Sequence, residues 1–174
     1  MEDRIEAAEE AGNITDLLQI IEECTNASDE DHETDAEASL DSLYRLVKGG
    51  TAFPEETLGQ IFASLKVWKE EEAIVEVALG CIVAIASKKT ELSAEECIVD
   101  VSLILDVMQS YEDESTIQEQ ACLAIEGLAK ASIVLKKNLR GIEGINEELI
   151  AAKERITNER NKKYPGLAAA ALEL

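Results

Sequence analysis

A nine-residue pattern recurs three times along the chain, as Ser39–Val47, Ala78–Ala86 and Ala121–Ala129. Each copy opens on a small residue followed by an apolar residue or Cys. It then places aliphatics at its fifth and eighth positions (Leu43 and Leu46, Ile82 and Ile85, Ile125 and Leu128) and closes on Val or Ala. The spacings are 39 and 43 residues. A period of that size marks a supersecondary unit that cannot bury its apolar face alone and stacks on its neighbours instead. In the second copy Val75, Ala78, Leu79, Ile82, Ile85 and Ala86 fall at the i, i+3, i+4, i+7 spacing of one helix face. The small residues let a neighbouring helix approach closely, so the three motifs predict tightly packed inner helices in an all-α chain.

A second helical stripe precedes each motif: Ile14, Leu17, Leu18, Ile21; then Leu58, Ile61, Phe62, Leu65; then Ile98, Val101, Leu105, Met108. Trp68 and Tyr111 each stand ten residues before the opening Ala of the next motif, so the two internal copies keep register through the turn. Pro54 suits a first helical turn, while Ser93 with Glu96 and Ser115 with Gln118 read as capping boxes. A fourth copy starts with Ile142, Ile145, Leu149 and Ile156 and continues past Pro165 into the small-residue run Gly166–Leu172. Residues 2–11 predict a short acidic helix, residues 25–36 an acidic inter-helix loop, and residues 159–174 an incomplete terminal repeat. The stretches between Val47 and Pro54 and between Ala86 and Ser93 are too short for a further full helix, whereas 131–140 has room for one.

The run Gln118–Ala129 resembles the last helix of an armadillo repeat, which reads A-L-x-x-L-x-N-L-A after a polar lead-in. The likeness extends over about residues 14–174. It implies a right-handed α-solenoid of about three to four armadillo/HEAT-like repeats, a single repeat domain over 1–174, and a role in protein binding. In the armadillo proteins that serve as nuclear import receptors, a Trp and an Asn four residues later line a peptide groove. The equivalent positions here are Asp41, Gly80 and Leu123, and Arg45, Ala84 and Gly127, none of which matches. The resemblance therefore implies the groove without its aromatic and amide ladder. A smooth, partly apolar floor suits a partner helix, and the same small residues equally serve close helix packing.

Thirty-seven acidic against sixteen basic side chains give a net charge of −21, which opposes nucleic acid and anionic membrane as partners and favours basic ones. Glu76 and Glu119, in the lead-ins of the second and third motifs, extend the candidate partner-binding set of Asp41, Arg45, Gly80, Ala84, Leu123 and Gly127. Residues 130–174 reverse the trend, with nine basic and six acidic side chains. Lys153, Arg155, Arg160, Lys162 and Lys163 supply much of that excess, either as a solvated helix face or for an acidic partner. Only 3% of residues are aromatic, so Ala, Leu, Ile and Val must pack the core.

The acidic run Asp29–Glu37 lacks the Gly and terminal Glu of a calcium loop and is expected to be solvated. His32 is the one histidine, so the chain offers neither a zinc cluster nor a His-based catalytic dyad. No phosphate-binding or nucleophile-elbow motif occurs, and no enzymatic role or cofactor is expected. Cys24, Cys81, Cys97 and Cys122 are widely spaced and read as reduced structural thiols, which with the absence of a signal-like N-terminus predicts an intracellular, cytoplasmic protein, or one from which a transit peptide has been removed. Two functions are in view. One is a scaffold that takes a basic or helical segment on an acidic concave face. The other is an architectural subunit or repeat fragment of a larger complex, docked, on a partner or on a second copy, through the uncapped apolar C-terminal run Leu167–Leu172.

Overall fold

The computed structural model describes residues 1–89 and 91–173, and among these the ordered elements are helices, with no strand. In chain order they are α1 (Glu2–Glu10), α2 (Ile14–Ala27), α3 (Glu33–Gly49), α4 (Thr57–Val67) and α5 (Glu72–Lys88). Then come α6 (Ser102–Ser110), α7 (Ser115–Ala131), α8 (Ile133–Arg140), α9 (Ile145–Arg155) and α10 (Tyr164–Leu172). The three motifs lie on α3, α5 and α7, each 17 residues long. Their first residues, Glu33, Glu72 and Ser115, repeat the motif spacing, so the copies agree in register over the whole helix.

Contacts follow the repeat. One row runs α1, α3, α5, α7, α10, each helix packed on the next, and a second row runs α2, α4, α6, α9. Small residues set the intimacy of the first row: Ala78 and Ala121 are fully buried, and Cys81 Sγ reaches the Leu40 carbonyl of the preceding motif helix at 3.3 Å. One continuous apolar cluster links Ile5 on α1 to Leu172 on α10. Trp68 and Tyr111, the residues shared in register, are the C-caps of α4 and α6 and turn the chain from the second row back to the first.

Local chemistry ends the helices. Asn13 caps α2 by accepting from the Asp16 N–H at 3.3 Å, and Gly50 ends α3 at φ +98°, a conformation that favours glycine. Ser132 lies in extended backbone between α7 and α8 and accepts from Val134 N at 3.2 Å and Leu135 N at 3.3 Å. It thereby begins the extra helix for which the sequence left room.

Several expectations are revised. The acidic loop over 25–36 is narrower, because α2 continues to Ala27 and α3 starts at Glu33, with one 3₁₀ turn at Glu30–His32 between them. Glu33 and Asp35 sit in the first turn of α3, where acidic side chains complement the helix dipole. Ser93 and Glu96 do exchange capping hydrogen bonds, at 2.8 and 3.3 Å, but they close a single turn, and α6 begins only at Ser102. Ile98 accordingly leaves the predicted stripe and is 81% exposed. Ser115 and Gln118 form no box: Gln118 is fully buried and turned to the C-terminus of α6. Pro54 precedes α4, where its carbonyl accepts from the Thr57 hydroxyl at 2.7 Å. The terminal segment expected over 159–174 holds α10 from Tyr164 to Leu172; Leu174 lies outside the described residues.

Candidate functional site

On each motif helix the buried residues occupy one side and leave a strip open on the other. In α5 the core takes Ile74, Val75, Ala78, Leu79, Ile82 and Ile85, while Gly80, Val83 and Ser87 remain partly or fully exposed. Equal register carries this strip across the row, because Asp41, Gly80 and Leu123 occupy one motif position and Arg45, Ala84 and Gly127 another. Three depressions result, of which the second and third adjoin through Val83, Ser87 and Leu123. Asp41 and Arg45 line the first, between α1 and α3; Gly80, Ala84 and Leu123 line the second, across α3, α5 and α7; Leu123 and Gly127 line the third, between α5 and α7.

The two glycines differ. A Cβ on Gly80 would stand 3.6 Å from the Tyr44 ring, an ordinary contact, so this residue keeps the floor low without being required for packing. A Cβ on Gly127 would come within 2.8 Å of the Ala86 Cβ, so this glycine sets how closely α7 approaches α5. Ala84 is nearly buried in the floor, and Leu123 stands half-exposed between the second and third depressions.

Arg45 is committed within the chain. It donates to Asp41 Oδ2 and to Glu9 Oε2, each at 2.7 Å, and the same Glu9 oxygen accepts from the Ser42 hydroxyl at 2.7 Å. These hydrogen bonds, that from Arg45 first, hold the Glu9 carboxyl below the usual carboxylate range. Arg45 and Glu9 thus fasten α1 onto α3. Glu119 also has partners, accepting from Asn161 Nδ2 at 2.7 Å and from Ser115 Oγ at 3.5 Å, whereas Glu76 is exposed and lines none of the three depressions.

Sequence reasoning passed over the opposite edge of the strip. Lys48 and Lys88 line the second depression with Tyr44 and Ser87, and that depression has no carboxylate in its wall. Lys130 borders the third, where it pairs with Glu126. Lys48 Nζ donates to Tyr44 Oη at 2.9 Å and lies 5.0 Å from that ring's centroid. The signal was present, since Lys48 and Lys130 each stand three residues after an assigned groove position, one helical turn along the same face.

The remaining polar features are dispersed. Arg155, one of the C-terminal cations, turns inward to Glu148 and to Glu112, the latter at 2.8 Å, and Lys162 pairs with Glu159 at 2.8 Å. His32 is bonded to Asp29 across its turn, which raises its pKa above the ordinary value. All four cysteines are free and buried; burial pushes Cys24 up to about 11 and Cys122 up to about 12, so both remain neutral thiols that pack as small apolar groups. Among the described residues no three His, Cys, Asp or Glu side chains converge as metal ligands, and no helix is long and apolar enough to cross a membrane.

No protein-family model, no curated protein and no solved structure matches the chain.

Proposed function

We propose that this protein is a short armadillo- or HEAT-like solenoid that acts as a protein-interaction scaffold, holding a helical segment of a partner along the strip formed by α3, α5 and α7. The observation that carries the reading is the continuity of that strip. Equivalent positions of three helices in register line adjoining depressions whose floor is Gly80, Val83, Ala84 and Leu123. Such a floor offers apolar contact without protruding side chains, which is what helix-in-groove recognition requires. Beside α1, Glu2, Glu6 and Asp35 border the first depression and suit basic residues of the partner.

The test is selection of displayed helical peptides on the protein, repeated on Gly80→Trp, whose indole fills the second depression. Peptides that need the groove lose binding on this variant. Equal capture by both proteins, with unchanged helical content, would remove the groove from consideration.

A second reading, an architectural subunit docked through its C-terminal helices, has its own observation. Ile133 and Val134 on α8 stand together and are 77% and 49% exposed, and Leu167 on α10 is 40% exposed, apolar surface that invites cover. Lys136, Lys137 and Arg140 stand beside Ile133 and Val134. In that case Ile133→Asp with Leu167→Asp raises solubility and abolishes recovery within the larger assembly, while Gly80→Trp leaves recovery intact.

A further inference from the structure

Glu37, Glu76 and Glu119 stand one helical turn before Asp41, Gly80 and Leu123 on the same helix faces, outside the depressions, while Lys48, Lys88 and Lys130 line the depressions at their other edge. Glu37, Glu76 and Glu119 occupy one register position, the fifth residue of α3, α5 and α7. Lys48, Lys88 and Lys130 stand in the last turns of the same helices. A glutamate and the lysine of its own helix are eleven or twelve positions apart, roughly 16–18 Å of helix at about 1.5 Å per residue. The floor between the edges is Gly80, Val83, Ala84 and Leu123. A helix with its side chains is about 10–12 Å across, so it fits between the edges with room for its flanking side chains to reach them.

Helix-dipole compensation accounts for lysines in a last turn. It does not account for glutamates one turn further in than the helix start, at one position, on the open side of three helices. Glu37, Glu76, Lys48 and Lys88 are all exposed on that side, while Glu119 and Lys130 are held by Asn161 and Glu126.

We infer that the groove fixes the direction of the helix it binds: its partner is an amphipathic helix whose basic flank lies along the Glu37–Glu76–Glu119 edge and whose acidic flank lies along the Lys48–Lys88–Lys130 edge. This rests on the groove reading above. A helix laid along the row on its apolar stripe exchanges its flanks when its direction is reversed, so one direction pairs its charges with the exposed Glu37, Glu76, Lys48 and Lys88 and the other sets like charges against them. Crossing from α3 to α7 covers two interaxial steps of about 8–10 Å, so the contact segment is roughly 12 residues long. Rim charges of this kind select orientation and suppress wrong partners more than they add affinity.

The test uses two synthetic helical peptides of identical composition and identical Leu stripe. One has Lys on one flank and Glu on the other; the second has both charges mixed on both flanks. A nitroxide at Glu10→Cys on α1 reports which peptide end lies at that end of the row, and the buried native cysteines leave the label selective. The split peptide is expected to bind about five- to tenfold more tightly than the mixed one, the sum of a few rim pairs. Its broadened end should switch in Glu37→Lys/Glu76→Lys/Lys48→Glu/Lys88→Glu, which exchanges exposed charges only. Equal binding of both peptides, lost in Gly80→Trp, would overturn the charge proposal and leave the groove standing. A direction unchanged by the exchange would overturn it as well. Binding by neither peptide would overturn the groove reading and this inference with it.

Discussion

Gly80 and Gly127 lie on the same open face of neighbouring motif helices, and a sequence pattern treats both as small. Their surroundings make them opposites. Alanine at position 80 meets only the Tyr44 ring at van der Waals distance, so Gly80→Ala is expected to stabilise by about 0.5–1 kcal/mol through helix propensity. At position 127 the new methyl collides with Ala86 Cβ, which cannot swing away. Overpacking of about 1–3 kcal/mol then exceeds the propensity gain of about 1 kcal/mol, and Gly127→Ala should be net destabilising. Urea denaturation of both variants shows whether the signs differ. Glu9 supplies a second residue-scale expectation. Its folded pKa is depressed below the ordinary value near 4.5, so its contribution is fully present above that pH and is lost as pH falls through the folded value. The stability gap between the wild type and Glu9→Gln should therefore be constant above the ordinary carboxylate pKa and shrink below it, as followed by urea melts across the acid range.

At the scale of elements, the joints are where reading by pattern fell short. The serine–glutamate signature at Ser93 yields its two hydrogen bonds, yet no α-helix propagates from that turn. Lys89 pairs with the buried Glu96, and the Leu92 N–H donates to the Ala131 carbonyl at 3.0 Å, so the segment is clipped to α7 instead of continuing as helix. At Gln118 the same kind of pattern resolves differently. Its amide donates to the Met108 and Tyr111 carbonyls at 2.7 and 2.9 Å, capping α6 from a helix away. Gln118→Leu leaves those carbonyls without this donor and should cost roughly 1–3 kcal/mol, with amides at the C-terminus of α6 losing hydrogen-exchange protection first. α1 packs chiefly on α2 and α3 and is held at its exposed side by Arg4 with Glu23 and by Glu9 with Arg45. It should exchange its amides well before α5 and α7, which have a helix of the first row on each side.

For the whole molecule the dominant long-range term is self-repulsion from a net charge of −21. Adding salt to about 0.15 M shortens the Debye length to about 8 Å and should raise the melting temperature by a few degrees. A scan over ionic strength measures this, and a flat response would show that local pairs already neutralise the field. Against that repulsion stands one core that runs the length of the chain. Each motif helix is packed between two neighbours in the first row, so loss of a central helix removes contacts on two sides.

The sequence alone determined the helical class, the register of the three motif helices, and which face of each turns inward. Those follow from residue spacing, because a 3.6-residue period and a fixed repeat length project apolar side chains onto one side whatever the neighbours are. Leu43, Ile82 and Ile125 were assigned to the core on that basis and are fully buried. Where helices start, which glycine is structural, and which charges remain available were decided only by the tertiary structure. Each of those depends on a partner distant in sequence: Ala86 for Gly127, Glu9 for Arg45, Asn161 for Glu119 and the end of α6 for Gln118. A side chain carries its own periodicity in the sequence, but its neighbours are supplied by folding.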